Sequence, residues 1–136
     1  MATVIFDLDG TLSDTSWRDH FITEGKWDEF FDHCGGDPVN KPVAELLSAV
    51  FTAGHRILII TGRPERVRKT TEAWLLNNVI MYDKLYMRKD DDRRSDAEFK
   101  SEILESVTEP ILFAVDDNVD TVKMFKEHGI TCFQVA

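Results

Sequence analysis

A three-layer α/β fold with a parallel sheet in the middle is predicted by three features of the chain. Short apolar, β-branched runs recur along its 136 residues. Stretches with helical periodicity lie between them. Asp9, Thr61, Arg88 and Asp116 all fall at or just after the ends of those runs. Strands alternating with helices imply right-handed crossovers and helices on both faces of a parallel sheet. Ligands of such sheets bind beyond the carboxyl ends of the strands, where the strand order switches. Those residues therefore point to a single site.

The elements follow in order. Val4, Ile5 and Phe6 mark a first strand over 3–7. Residues 13–39 carry acids and the aromatics Trp17, Phe21, Trp27, Phe30 and Phe31, a spacing that predicts one or two short helices over the sheet. Pro42 near the start and Gly54 just past the end bracket a helix over 40–53. The buried-type run Ile57 to Ile60 gives a second strand over 56–60, and Pro64 opens a helix reaching about residue 77. A third strand is expected over 84–87. Ser95-x-x-Glu98 is a capping box before Phe99, Ile103 and Val107, which sets a helix over 95–107. Residues 111–115 form the fourth strand, 119–128 a helix stopped by Gly129, and 131–135 the fifth strand.

One domain over 1–136 is expected from the length. No apolar stretch approaches the roughly 20 residues that cross a membrane. The first strand and first acids occupy the opening nine residues, which predicts no signal peptide. Cys34 and Cys132 lack metal-ligand spacing and read as reduced thiols of a cytoplasmic protein. A net charge of -9 argues against a protein that coats nucleic acid non-specifically. The charge is segregated. Acids crowd 19–37, while Arg63, Arg66, Arg68 and Lys69, then Arg88, Lys89, Arg93 and Arg94, form two basic groups beyond strand ends.

Asp7 and Asp9 are two apart at the end of the first strand, where side chains share a side, so they are expected to converge on one ligand. Gly10 and Thr11 turn the chain away and leave the carboxylates open. Two hard oxygen ligands suit Mg²⁺, which takes few carboxylates plus phosphate and water.

Asp7-x-Asp9-Gly10-Thr11, Thr61, Lys100 and Asp116-Asp117, in that order, resemble the haloacid dehalogenase superfamily of phosphotransferases. The resemblance implies a Rossmann-like three-layer sheet with no cap or only a minimal one, since 13–39 is too short for a full cap. It implies Mg²⁺-dependent phosphoryl transfer with Asp7 as nucleophile. Asp9 would protonate the leaving oxygen and then activate water. Thr61 and the Gly62 amide would hold a phosphoryl oxygen, and Lys100 would offset its charge. Asp116, with Asp7 and the Asp9 backbone carbonyl, would hold the metal. Asp117 would lie behind it, orienting Lys100 or a metal-bound water. An acid at position 9 favours a phosphatase or mutase over pump-type ATPases.

A narrower likeness rests on Arg18, Thr61-Gly62-Arg63, Tyr86-Met87-Arg88, Asp96-x-x-x-Lys100 and the last eight residues. These look like the phosphatase domain of phage polynucleotide kinase/3′-phosphatases. That likeness implies that Arg18, Arg63 and Arg88 meet substrate phosphate, that Asp96 orients Lys100, and that the substrate is a 3′-phosphorylated nucleic-acid end or a nucleotide. Trp17 is a candidate for base stacking or for core. No G-x-x-x-x-G-K-[ST] loop occurs, so 5′-kinase activity is not expected of these residues. A separate kinase or ligase acting on the same ends then becomes the implied partner, and a homodimer stays open with no residues that encode it. Two other readings are a nucleotidase or small-metabolite phosphatase, and a receiver-type phospho-acceptor module. Receivers place the acid pair after the first strand and the acceptor after the third, the reverse of the order here.

Overall fold

The computed structural model describes residues 2–136. Its elements are β1 (Thr3–Phe6), α1 (His20–Thr23), α2 (Trp27–Asp32), α3 (Lys41–Thr52), β2 (Arg56–Pro64), α4 (Arg68–Asn77), β3 (Lys84–Arg88), α5 (Asp96–Ser106), β4 (Ile111–Asp116), α6 (Val119–Glu127) and β5 (Cys132–Gln134). The strands pair in parallel in the order β3-β2-β1-β4-β5. The order turns back at β1, so the crevice between the carboxyl ends of β1 and β4 is the switch point.

Period-2 alternation divides the core between the faces of the sheet. Val4, Phe6, Ile57 and Ile59 pack with Leu47 of α3 and with Trp74 and Leu75 of α4. Ile5, Leu58, Ile60 and Ala114 pack with Phe99 and Leu104 of α5 and with Met124 and Phe125 of α6. Central strands buried on both faces read as unbroken apolar runs, which is why β1 and β2 are plain in the sequence.

Two expectations are corrected. β2 continues past Ile60 to Pro64, with a register shift against β3 between those residues. The shift bulges Thr61–Arg63 out of the ladder, and Pro64 opposite Arg88 has no N–H to pair. Pro64 therefore ends a strand. A 3-10 turn, Glu65–Val67, follows it, and α4 starts at Arg68. The N-cap at Ser95 holds: its Oγ accepts from the Glu98 amide at 3.3 Å and donates to the Glu98 carboxylate at 3.2 Å.

Residues 13–39 fold as α1, α2 and a 3-10 turn, Cys34–Gly36. The indole of Trp74 donates to the Asp37 carbonyl at 2.8 Å, and Arg66 pairs with Asp32. Both contacts tie this segment to the residues after β2. Among the described residues no helix is long and apolar enough to cross a membrane, and both cysteines are free.

Candidate active site

Asp7 leaves β1 while its amide still donates to Val115 of β4 at 3.0 Å. The chain then closes a tight turn in which the amides of Thr11 and Ser13 both donate to the Leu8 carbonyl. Gly10 has φ +78°, and a Cβ there would stand 2.1 Å from Asp117 Oδ2. Only glycine fits. Asp116 ends β4 and accepts from the Asn118 amide at 3.0 Å, while Asn118 caps α6 through Thr121.

These two strand ends bring Asp7, Asp116 and Asp117 together, with one carboxylate oxygen of each within 4.8 Å of the others. Lys100, 1 % exposed on α5, donates to Asp7 Oδ1 at 2.8 Å and to Asp116 Oδ2 at 2.7 Å. Thr11 Oγ1 donates to Asp7 Oδ2 at 3.0 Å. Burial, reinforced by Asp116, raises the Asp7 carboxyl to about 6 despite Lys100. Burial and then the charge of Asp7 raise Asp117 to about 7. Burial would discharge Lys100, but Asp7 and Asp116 outweigh it and hold the ammonium above its ordinary range. One ammonium faces three carboxylates, so ionised acids leave negative charge without a partner. Buried, oxygen-only and anionic, this donor set fits a hard divalent cation.

The carboxylate of Asp9 does not join that cluster. β1 stops at Phe6, so strand alternation no longer governs the turn, and Asp9 faces the other way. Its Oδ1 accepts from Arg18 Nη2 at 2.7 Å and from Arg63 Nε and Nη2 at 3.0 and 2.7 Å. Both arginines are 0 % exposed. Burial alone would raise the Asp9 carboxyl, but Arg63 and then Arg18 outweigh it and hold it below the usual carboxylate range.

Arg18 and Arg63 thus meet a protein carboxylate, where a substrate phosphate was expected. Most of their remaining N–H groups are also committed. Arg18 donates to Asp37 Oδ1 and Oδ2 at 2.7 and 2.6 Å and to the Phe30 carbonyl, and stacks 4.1 Å over the Phe30 ring. Arg63 donates to Thr71 and to Asp37 Oδ2. Asp37 is the residue that the sequence reading missed. It lies in an acid-rich stretch, and nothing in its spacing signals two buried partners.

Thr61 is buried, and its Oγ1 accepts from the Arg63 amide at 3.1 Å, leaving its own proton free to donate. Arg88 donates to the Gly62 carbonyl at 3.1 Å, to the Arg94 carbonyl and to Asp96. Asp96 therefore does not hydrogen-bond Lys100, as its place one turn earlier on α5 had suggested; it is paired with Arg88. A Cβ on Gly62 would lie 2.5 Å from Asp96 Oδ1, so this pair needs a glycine beneath it.

The whole chain, residues 1–136, matches the family described as the polynucleotide kinase PNKP phosphatase domain. It is similar to a chain in the structure of the Pnkp1/Rnl/Hen1 RNA repair complex, with a TM-score of 0.86 and 32% identity over 99% of its length. A second structure of the Pnkp1/Rnl/Hen1 complex gives a TM-score of 0.83, again at 32% identity over 99% of this chain. The chain spans 42% and 46% of those two chains. A haloacid dehalogenase-like family hydrolase from Streptococcus pneumoniae shares the fold at 15% identity, with a TM-score of 0.70, over 100% of this chain and 85% of its own. With its full length matched by one family and a relative at 32% identity over nearly all of it, the chain belongs to the polynucleotide kinase PNKP phosphatase-domain family and is a phosphoric monoester hydrolase of the haloacid dehalogenase superfamily.

Proposed function

We propose that the protein removes the terminal phosphate from nucleic-acid ends, preferring 3′-phosphates, and that phosphate passes through Asp7. The observation that carries this reading is the placement of Asp7 at the switch point, between Lys100 and the Asp116–Asp117 pair. Phosphomonoesters resist unaided hydrolysis strongly, so a catalyst must supply a placed nucleophile and stabilise equatorial charge. Asp7 attacks phosphorus, the P–O bond to the sugar breaks, and an aspartyl-phosphate forms on Asp7. Lys100 and Thr61 with the Gly62 amide neutralise charge on the phosphoryl oxygens. The substrate phosphate beside Asp9 favours its protonated carboxyl; Asp9 donates that proton to the departing 3′-oxygen and then takes one from the water that hydrolyses the acyl phosphate. Arg18 and Arg63 act through Asp9 as positioning residues. Asp7 and Asp116, with the Asp9 backbone carbonyl and Asp117, would hold Mg²⁺, which when bound neutralises phosphate charge and orients it for in-line displacement.

The family match and the RNA repair relatives support a polynucleotide end as substrate, with a ligase or kinase acting on the same ends as partner. The reading is tested by Mg²⁺-dependent phosphate release from matched 3′- and 5′-phosphorylated oligonucleotides beside 3′-mononucleotides. Higher kcat/KM on the 3′-phosphorylated oligonucleotide is the expected result. Equal or better turnover of mononucleotides would move the protein to nucleotide metabolism.

A further inference from the structure

We propose that Trp17 is the platform on which the terminal nucleobase stacks, an inference that rests on the polynucleotide-end reading. The Trp17 indole N–H donates to Asp37 Oδ1 at 2.8 Å, the oxygen that also accepts from Arg18 Nε at 2.7 Å. Arg18 Nη2 in turn lies 2.7 Å from Asp9 Oδ1. Three hydrogen bonds therefore link the indole to the carboxylate assigned to the leaving oxygen. Part of the ring is seated. An added Cβ on Gly36 would stand 3.1 Å from Trp17 Cζ2, and His33 meets the ring edge-on at 6.2 Å. Yet 44% of the residue is exposed.

An aromatic ring anchored by its only polar atom and left open is pre-organised for a flat ligand, because little conformational freedom remains to be lost on binding. The chemistry of that ligand follows from the neighbours. Asp14 and Asp19 are exposed on the same segment, and their charge disfavours phosphate beside the ring. A neutral π-face is accepted there, and every nucleobase has one. The terminal base is thus drawn to the open part of Trp17.

Steady-state kinetics test the proposal with an oligonucleotide ending in a 3′-phosphate, the same strand with a stable abasic analogue at its last sugar, and p-nitrophenyl phosphate. In the wild type the abasic end should raise KM about tenfold, the scale of one base–aromatic stack. Trp17→Ala should lower the ratio of kcat/KM for oligonucleotide over p-nitrophenyl phosphate by about the same factor and make intact and abasic ends equivalent. Trp17→Phe, which keeps a ring and loses the anchor, should retain most of that ratio. Equal KM for intact and abasic ends in the wild type overturns the platform even if Trp17→Ala fails to fold. A ratio unchanged in Trp17→Ala, or a loss shared equally by all three substrates, overturns it too. Wild-type protein that shows no preference for the oligonucleotide removes the functional reading and the platform together. A preference that survives Trp17→Ala removes the platform alone.

Discussion

Arg63 reaches Oδ1 of Asp9 through two nitrogens, Nε at 3.0 Å and Nη2 at 2.7 Å, with the guanidinium wholly buried. Arg18 meets the same oxygen from the other side. Two fixed cations on one carboxylate set its orientation and favour its ionised form before substrate binds, so the arginines govern both where Asp9 points and when it carries a proton.

Arg63→Lys replaces a planar fork with a single point charge. Asp9 should lose orientation and its carboxyl should rise toward the ordinary range. The expected outcome is a fall in kcat of about a hundredfold, the scale of a misplaced general acid–base group. The basic limb of the kcat profile, set by the protonated Asp9 of the substrate complex, should move to higher pH. Mg²⁺ affinity should hold, because Asp7, Asp116 and Asp117 are untouched. An unshifted profile would argue against the clamp.

Asp37 carries no role in the chemistry, yet it compensates two buried guanidinium groups. Asp37→Asn leaves them with Asp9 alone. Removing one partner of a buried charge network costs about 3–5 kcal/mol. For a chain of 136 residues that corresponds to a fall in Tm of roughly 10–20 °C. A thermal melt within a few degrees of the wild type would contradict this.

Much of the arrangement is legible in the sequence, and its limits have physical causes. β1 and the first half of β2 are buried on both faces and announce themselves as apolar runs, and β4 does so although Leu112 is exposed. The extension of β2 through Thr61–Arg63 to Pro64 is polar and bulged, so it lacks that signature. Asp7, Lys100 and Asp116 meet as their positions at strand ends and on α5 suggested. Sequence spacing does not tell whether an arginine faces a substrate phosphate or a protein carboxylate, and Arg18 and Arg63 turned out to face Asp9. Likewise Asp-x-Asp implies convergence only while the strand lasts. β1 ends at Phe6, before either acid, and Asp117 takes the place beside Asp7 and Asp116.

Asp7 at about 6 and Asp117 at about 7 both stand above the ordinary 3.8. In the metal-free protein the folded state keeps protons that the unfolded chain has already released. Stability is therefore full below about pH 4 for these groups and is lost as pH rises through 6 to 7. A divalent cation bound to the ionised acids offsets that loss. The Tm gained on adding Mg²⁺ should thus be small at pH 5 and grow up to pH 7.5. A gain independent of pH would place the metal elsewhere.

Gly10→Ala directs a methyl at Asp117 Oδ2, 2.1 Å away, from a backbone at φ +78°. Asp117 must move. Mg²⁺ affinity, read by isothermal titration, should fall about tenfold or more, as it does when the surroundings of a metal site are disturbed. Retained affinity would show that Asp117 does not contribute to the cation site.

The most direct test of the account is a rapid acid quench of protein turning over a 3′-phosphorylated oligonucleotide, followed by peptide mapping. The account predicts phosphate on Asp7 in the wild type, and neither phosphoprotein nor turnover in Asp7→Asn. Turnover without label on Asp7, or substantial activity in Asp7→Asn, would contradict it.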